Sequence, residues 1–165
     1  MRFVLLVPAS YRRVWCRGCR VLVPLLLAAV TSGAGLVSPA LADSRTDYML
    51  HCQGCHGPTG VGAVGAAPSF RSQLGKFLWV PGGREYLIRV PGTAQAELDD
   101  GRVAALLNWL LHEFSPTEIP AGFVPYDGEE VARYRRSPLV DVDRARQELL
   151  RAIEDRGRAP VDPPS

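Results

Sequence analysis

Lysine is almost missing from this 165-residue chain: Lys76 stands alone among 19 basic residues, the others being arginines. Methionine occurs twice, histidine three times and cysteine four times. Past residue 56 there is no second Cys/His cluster, only His112, so a zinc site lacks the second half of its ligand set. No apolar run matches the roughly 20 residues of a membrane span. The nearest, Val21 to Val37, is interrupted by Pro24, Thr31, Ser32, Gly33 and Gly35. The glycine-rich stretch Gly57, Gly60, Gly62 and Gly65 follows no strand and has no P-loop lysine, which argues against a phosphate cradle.

The interrupted apolar run belongs to an N-terminal pattern. Arg2, Arg12, Arg13, Arg17 and Arg20 precede it, and Ser38-Pro39-Ala40-Leu41-Ala42, an A-x-A site, follows. That order of charged, apolar and small-residue regions predicts a secretory signal over 1–42, cleaved after Ala42, in preference to a retained anchor. Its loss takes five arginines and no acid, so Lys+Arg falls from 19 to 14 while Asp+Glu stays at 17. The remaining chain is near −3, and a nucleic-acid role loses its only support. Cys16 and Cys19 leave with the signal, so two cysteines remain.

Those two stand in Cys52-Gln53-Gly54-Cys55-His56. Two cysteines three apart with histidine next is the pattern of covalent c-type haem attachment. Both thiols can add to vinyl groups on one porphyrin edge, and the turn between them brings His56 under the ring as proximal iron ligand. A disulfide, a redox pair or half a zinc site needs a βαβ context or further ligands. Haem c is attached outside the cytoplasm to an unfolded chain. The Arg12-Arg13 pair is therefore a weaker guide to export than the Sec-type pattern, and a periplasmic location is expected.

Along the rest of the chain, Ser44 is placed to cap a short helix running to His51, with Asp47 in its first turn. Tyr48 lies one turn before Cys52. Asp99 caps a helix whose Val103, Leu106, Leu107, Leu110 and Phe114 recur at helical spacing, with Trp109 flanking that stripe as packing. Pro116, Pro120 and Pro125 punctuate a connector. Asp127 and Glu130 then form a capping box for a helix to about Arg136. Asp141 starts another, with Ala145, Leu149 and Ile153 on one face. Pro160 to Ser165 is expected to fray.

Tyr48, the haem motif, Gly57-x-x-Gly60-x-Gly62 and Pro68 resemble the opening of class I cytochrome c domains. Arg84-Glu85-Tyr86-Leu87 with Gly92, and Leu98-Asp99-Asp100 with the helix after it, continue the resemblance to about residue 114. The resemblance implies an all-α fold: a cytochrome c-like haem domain of three to four helices over 43–114. A proline-punctuated helical extension over 115–165, outside the resemblance, is expected either to pack back on that domain or to serve as a partner-docking arm. The resemblance also implies that the Pro68 carbonyl orients His56, and that Tyr48 packs near Trp109 where the terminal helices cross.

One family feature is absent. Class I domains place a methionine, the second axial ligand, between that glycine and the last helix, where this chain reads Gly92-Thr93-Ala94-Gln95-Ala96-Glu97. Met49 is tethered on the attachment side, and His112 lies opposite the apolar stripe. Lys76 would have to lose its proton, and the Gln95 amide is a poor iron ligand. The distal ligand is thus unassigned, and an open or weakly ligated distal face is the expectation.

The expected protein is a periplasmic c-type cytochrome with one covalent haem c. Cys52 and Cys55 hold it, His56 is the proximal iron ligand, and Pro68, Tyr48 and Trp109 shape the pocket. It is expected to act as a single-electron carrier rather than an enzyme, between a periplasmic oxidoreductase and a respiratory-chain or soluble acceptor. Its partner would be a redox protein, with membrane contact transient or through that partner. The alternatives are a haem with an open distal site for a gas or small ligand, and a haem subunit of a larger dehydrogenase complex.

Overall fold

The computed structural model describes residues 43–63 and 67–157; the expected signal segment 1–42, Gly65 and the end Pro160 to Ser165 lie outside the described residues. Every regular element described is helical, in keeping with an all-α fold, and the one extended pairing is a single antiparallel bridge between Ala63 and Ala67. No described helix is long and apolar enough to cross a membrane.

Carboxylates start most of the longer helices. Helix α1 (Ser44–His51) is capped by Asp43, not Ser44: the chain is extended at Asp43, whose side chain accepts from the Arg45 N–H at 3.2 Å, and Ser44 is already helical. A single turn, α2 (Gln53–His56), follows Cys52. After a 3-10 segment, Leu74–Trp79, come α3 (Gly83–Arg89) and the short α4 (Pro91–Ala94), which has proline at its first position. Asp99 caps α5 (Asp100–Phe114) by accepting from the Arg102 N–H at 2.8 Å. A second 3-10 segment, Pro116–Glu118, leads to α6 (Gly128–Tyr134), capped by Asp127, and α7 (Val142–Asp155), capped by Asp141.

Helix α5 is the centre. It packs against α1, both 3-10 segments and α6. The predicted stripe Val103, Leu106, Leu107 and Leu110 is buried and Phe114 half-buried. Leu111, off that stripe, is also fully buried, because a second side of α5 is covered. Part of the cover of α5 comes from beyond residue 115, from α6 and the second 3-10 segment. Tyr126, Val131 and Ile153 belong to the same apolar core as Tyr48 and Leu107, so the extension packs back on the haem-motif segment and is not a free arm.

Polar ties reinforce this packing. Asn108 brackets Tyr126, donating to its carbonyl at 2.9 Å and accepting from its N–H at 2.8 Å. Arg84 of α3 grips Glu130 of α6 with two bonds, Nε to Oε1 at 2.5 Å and Nη2 to Oε2 at 2.6 Å, and its guanidinium lies 4.0 Å from the Tyr126 ring centroid. The Glu130 side chain therefore does not complete the predicted capping box. A bidentate guanidinium is a stronger partner for a carboxylate than one backbone N–H.

Replacing fully buried Ile153 by alanine is expected to cost about 3 kcal/mol in guanidinium unfolding. Val140→Ser, at a fully exposed site, should stay within about 0.5 kcal/mol. Equal effects from the two would mean that α7 is not part of the core.

Candidate functional site

The chain leaves α1 at His51 and is helical again from Gln53, so Cys52 to His56 form one extra turn. The Cys55 and His56 N–H groups both donate to the Cys52 carbonyl, at 3.2 and 3.0 Å. Residues three apart on a turn share a side, which sets both thiols along one edge with His56 beside them. Both are free thiols, Cys55 exposed and Cys52 partly buried. Burial, then the nearby charge of Asp47 and the second thiol, push Cys52 up to about 11, so it stays protonated at neutral pH. Among the described residues no three His, Cys, Asp or Glu side chains converge as a separate metal site.

His56 is held from two directions. Its Nδ1 lies 3.0 Å from the Pro68 carbonyl, and its ring stacks on Phe70 with centroids 3.8 Å apart. Burial lowers its pKa, with the Pro68 hydrogen bond opposing part of that shift, so the imidazole is neutral at pH 7. A carbonyl can only accept, so Nδ1 carries the proton and Nε2 keeps its lone pair for a metal.

The loop after His56 is drawn tight. Gly62 donates to the His56 carbonyl at 2.9 Å, and the Phe70 N–H to the Gly60 carbonyl at 2.7 Å. Gly60 and Gly62 have φ of 70° and 76°. A Cβ on Gly60 would press on the Phe114 ring, and one on Gly62 would strike the Ala67 carbonyl oxygen. Glycine is needed at both for conformation and for space.

Tyr48 joins this loop to the helix crossing. Its hydroxyl donates to the Gly57 carbonyl, and its ring lies 5.5 Å from Trp109 and 5.2 Å from Phe114. Phe114 in turn stands 6.1 Å from Phe70. Beside Tyr48, Asp47 is 1% exposed and paired with Arg102 of α5. The sequence pointed to Asp47 only as a first-turn acid; its partner 55 residues away leaves no trace in local spacing. The Phe70 stack went unread for the same reason.

The candidates for a second axial ligand are dispersed. His112 is exposed on α5, Gln95 is exposed, and Met49 is 53% exposed on α1. Lys76 donates its Nζ to Gln73 Oε1 at 3.0 Å. A small cavity instead runs between Cys52, the segment bearing Gly92, Thr93 and Ala96, and the α5 residues Val103 and Leu106. Its wall is mostly aliphatic and a thiol stands on its border, but at about 10 Å3 it is far too small to seat a porphyrin. What fits a covalently held haem is the donor set, two thiols and the oriented His56 imidazole on one turn.

An all-helical chain with two thiols and a neutral, oriented imidazole on one turn, beside an aliphatic cavity, is of the class that holds a porphyrin covalently. No family model matches the chain. Two cytochromes c-552 of Thermus thermophilus are similar to it. One is 32% identical over 123 residues, covering 64% of this chain and 82% of the relative; the other is 32% identical over 116 residues, covering 59% and 88%. The chain belongs to the cytochrome c family, and its cofactor is covalently bound haem c. The similarity to the first relative spans more of the chain than the segment 44–114 that carries the resemblance in sequence.

Gly62→Ala is expected to destabilise the protein by about 2 kcal/mol and to lower the yield of haem-loaded protein. Gly54→Ala, in a helical turn with open space around it, should do neither. Thermal unfolding and absorbance per mole of purified protein check both; a wild-type yield from Gly62→Ala would show that the loop does not need its tight path.

Proposed function

We propose that this chain is an exported monohaem c-type cytochrome that carries single electrons between an extracytoplasmic oxidoreductase and a respiratory-chain or soluble acceptor. The observation that carries this reading is the His56 geometry: Nδ1–H committed to the Pro68 carbonyl at 3.0 Å, on the same turn as two free thiols. In this reading Cys52 and Cys55 form the two thioethers and His56 Nε2 is the proximal iron ligand. The haem iron, cycling between ferrous and ferric, supplies the redox chemistry.

The protein's part is to hold the surroundings still. Pro68 and Phe70 keep the imidazole from rotating, and a fixed proximal ligand lowers the reorganisation that accompanies each electron. Tyr48, tied to the Gly57 carbonyl and packed on Trp109, holds the attachment turn against α5. Exposure of Cys55 suits a haem edge open to a partner, across which an electron passes without any bond breaking. Export rests on the arginine-rich, apolar and A-x-A order of residues 1–42, a periplasmic address of the Sec type.

Expressed with its first 42 residues in a host able to mature c-type cytochromes, the protein should be recovered from the periplasmic fraction. Its haem should resist acid–organic extraction and show a reversible one-electron wave. Cys52→Ala with Cys55→Ala should lose the covalent haem altogether. Haem-free wild-type protein in that fraction would end this reading.

A further inference from the structure

From Tyr48 to Phe70 the chain has no aspartate, glutamate, lysine or arginine, and the attachment turn lies inside that uncharged stretch. The acid next to its start is Asp47. Among the described residues it is the one acidic side chain that is buried, at 1% exposed; Asp43, which caps the same helix, is exposed. Water and salt screen an exposed charge strongly and a buried one much less, so the field of Asp47 reaches its surroundings with little loss.

Asp47 is also close to the turn. The Cys52 N–H still donates to the Tyr48 carbonyl, at 2.9 Å, so helical spacing continues as far as Cys52. From Asp47 to Cys52 the helix therefore rises only about 7.5 Å. The same nearness appears in the Cys52 thiol, which the Asp47 charge helps to keep protonated. Arg102 fixes the carboxylate with two bonds, Nη2 to Oδ1 and, at 3.3 Å, Nε to Oδ2. Its side chain is 39% exposed against 1% for Asp47, so the pair has its negative end inside and its positive end toward water. At Cys52 the two fields do not cancel, because solvent weakens that of the guanidinium more.

Packing alone does not call for a charge here. Asp43, not Asp47, caps α1, and an apolar pair of similar volume fills such a crossing about as well as a buried ion pair. What the carboxylate adds is its field. Ferric haem carries one more positive charge than ferrous haem, so a negative charge nearby favours the ferric form. A sulfur joined to the porphyrin as a thioether puts the ring in the field that the sulfur feels. At about 10 Å, with an effective dielectric constant of about 20, one charge shifts an equilibrium roughly tenfold. The iron lies beyond the sulfur and Arg102 offsets part of the field, which leaves about threefold as the least effect expected.

We infer that Asp47 sets the redox potential of this cytochrome: its buried carboxylate, held by Arg102, favours ferric over ferrous haem and lowers the potential at which the carrier takes up its electron. The inference rests on the reading that Cys52, Cys55 and His56 hold the haem. Asp47 touches no reacting atom and acts through its field alone. One electron enters and leaves at the iron, and no proton moves and no bond breaks in the protein. A carrier tuned in this way gives up its electron readily and is filled only by a donor centre of low potential, which narrows the class of oxidoreductase that can reduce it.

The test is a potentiometric titration of the holoprotein followed by its absorption spectrum. Asp47→Asn keeps the shape and removes the charge. At the applied potential that half-reduces wild type, its ferrous-to-ferric ratio should be at least threefold higher, an upward shift of about 28 mV at 59 mV per tenfold. The rise should persist at about 1 M salt, where the fields of exposed charges are largely screened. Glu97→Gln, which removes an exposed carboxylate, should stay within twofold of wild type. If Asp47→Asn does not fold, Asp47→Leu combined with Arg102→Leu carries the test and should raise the ratio as well. An unchanged or lower ratio in a folded, haem-loaded variant overturns the inference, and so does a rise that vanishes at high salt. A rise accompanied by a changed spin state would mean altered iron ligation and would overturn it too. Absence of covalent haem from wild type would instead mark failure of the attachment reading.

Discussion

The contact on which the site depends is the crossing of α1 over α5. Its apolar part is Tyr48 against Trp109 and Phe114, and its polar part is Asp47 against Arg102. A nearly fully buried carboxylate without a partner would be costly, so the pair permits only one register of the two helices. The attachment turn begins at the next residue after α1. Whatever fixes α1 therefore fixes Cys52, Cys55 and His56, and through the Tyr48 hydroxyl the start of the glycine loop as well. The loop returns to the same cluster, because Gly60 sits against the Phe114 ring and Phe70 stacks on His56. Proximal geometry and helix crossing are thus one packing problem.

The second constraint comes from residues past 115. They complete the core with Tyr126, Val131 and Ile153. They also provide the cationic group that ties down 94–98, while Arg84 and Glu130 bind α3 to α6. An extension that looks like an appendage in sequence is part of the core that supports the site. Without it α5 would present two apolar faces and have cover for only one.

Local chemistry was legible in the sequence; partnerships over long separations were not. The haem motif, the Asp99, Asp127 and Asp141 caps and the α5 stripe each depend on residues within a few positions of one another. Spacing reveals such features, and the structure has them. Pro68 as acceptor for His56 came from the family resemblance, and the 3.0 Å separation matches it. Leu111, Phe70 and Arg135 escaped notice because their importance lies in partners on other elements, as with the Ala94, Ala96 and Leu98 carbonyls 37 to 41 residues from Arg135. Arg135 is one arginine among Arg133, Arg135 and Arg136, and only the fold distinguishes it. Glu130 was read as half of a capping box because Arg84 is invisible from 46 residues away.

The Arg84–Glu130 grip also bears on the order in which the chain assembles. Together with Arg135 on 94–98 and Arg156 on the Trp79 carbonyl, it joins segments before residue 100 to segments after residue 127. Contacts of such high sequence separation form late, after the loop between them has closed. The cysteine turn precedes in sequence the helices that complete the core, so it lacks their support until those contacts close. The core that holds the attachment turn is therefore complete only when the C-terminal helices have packed.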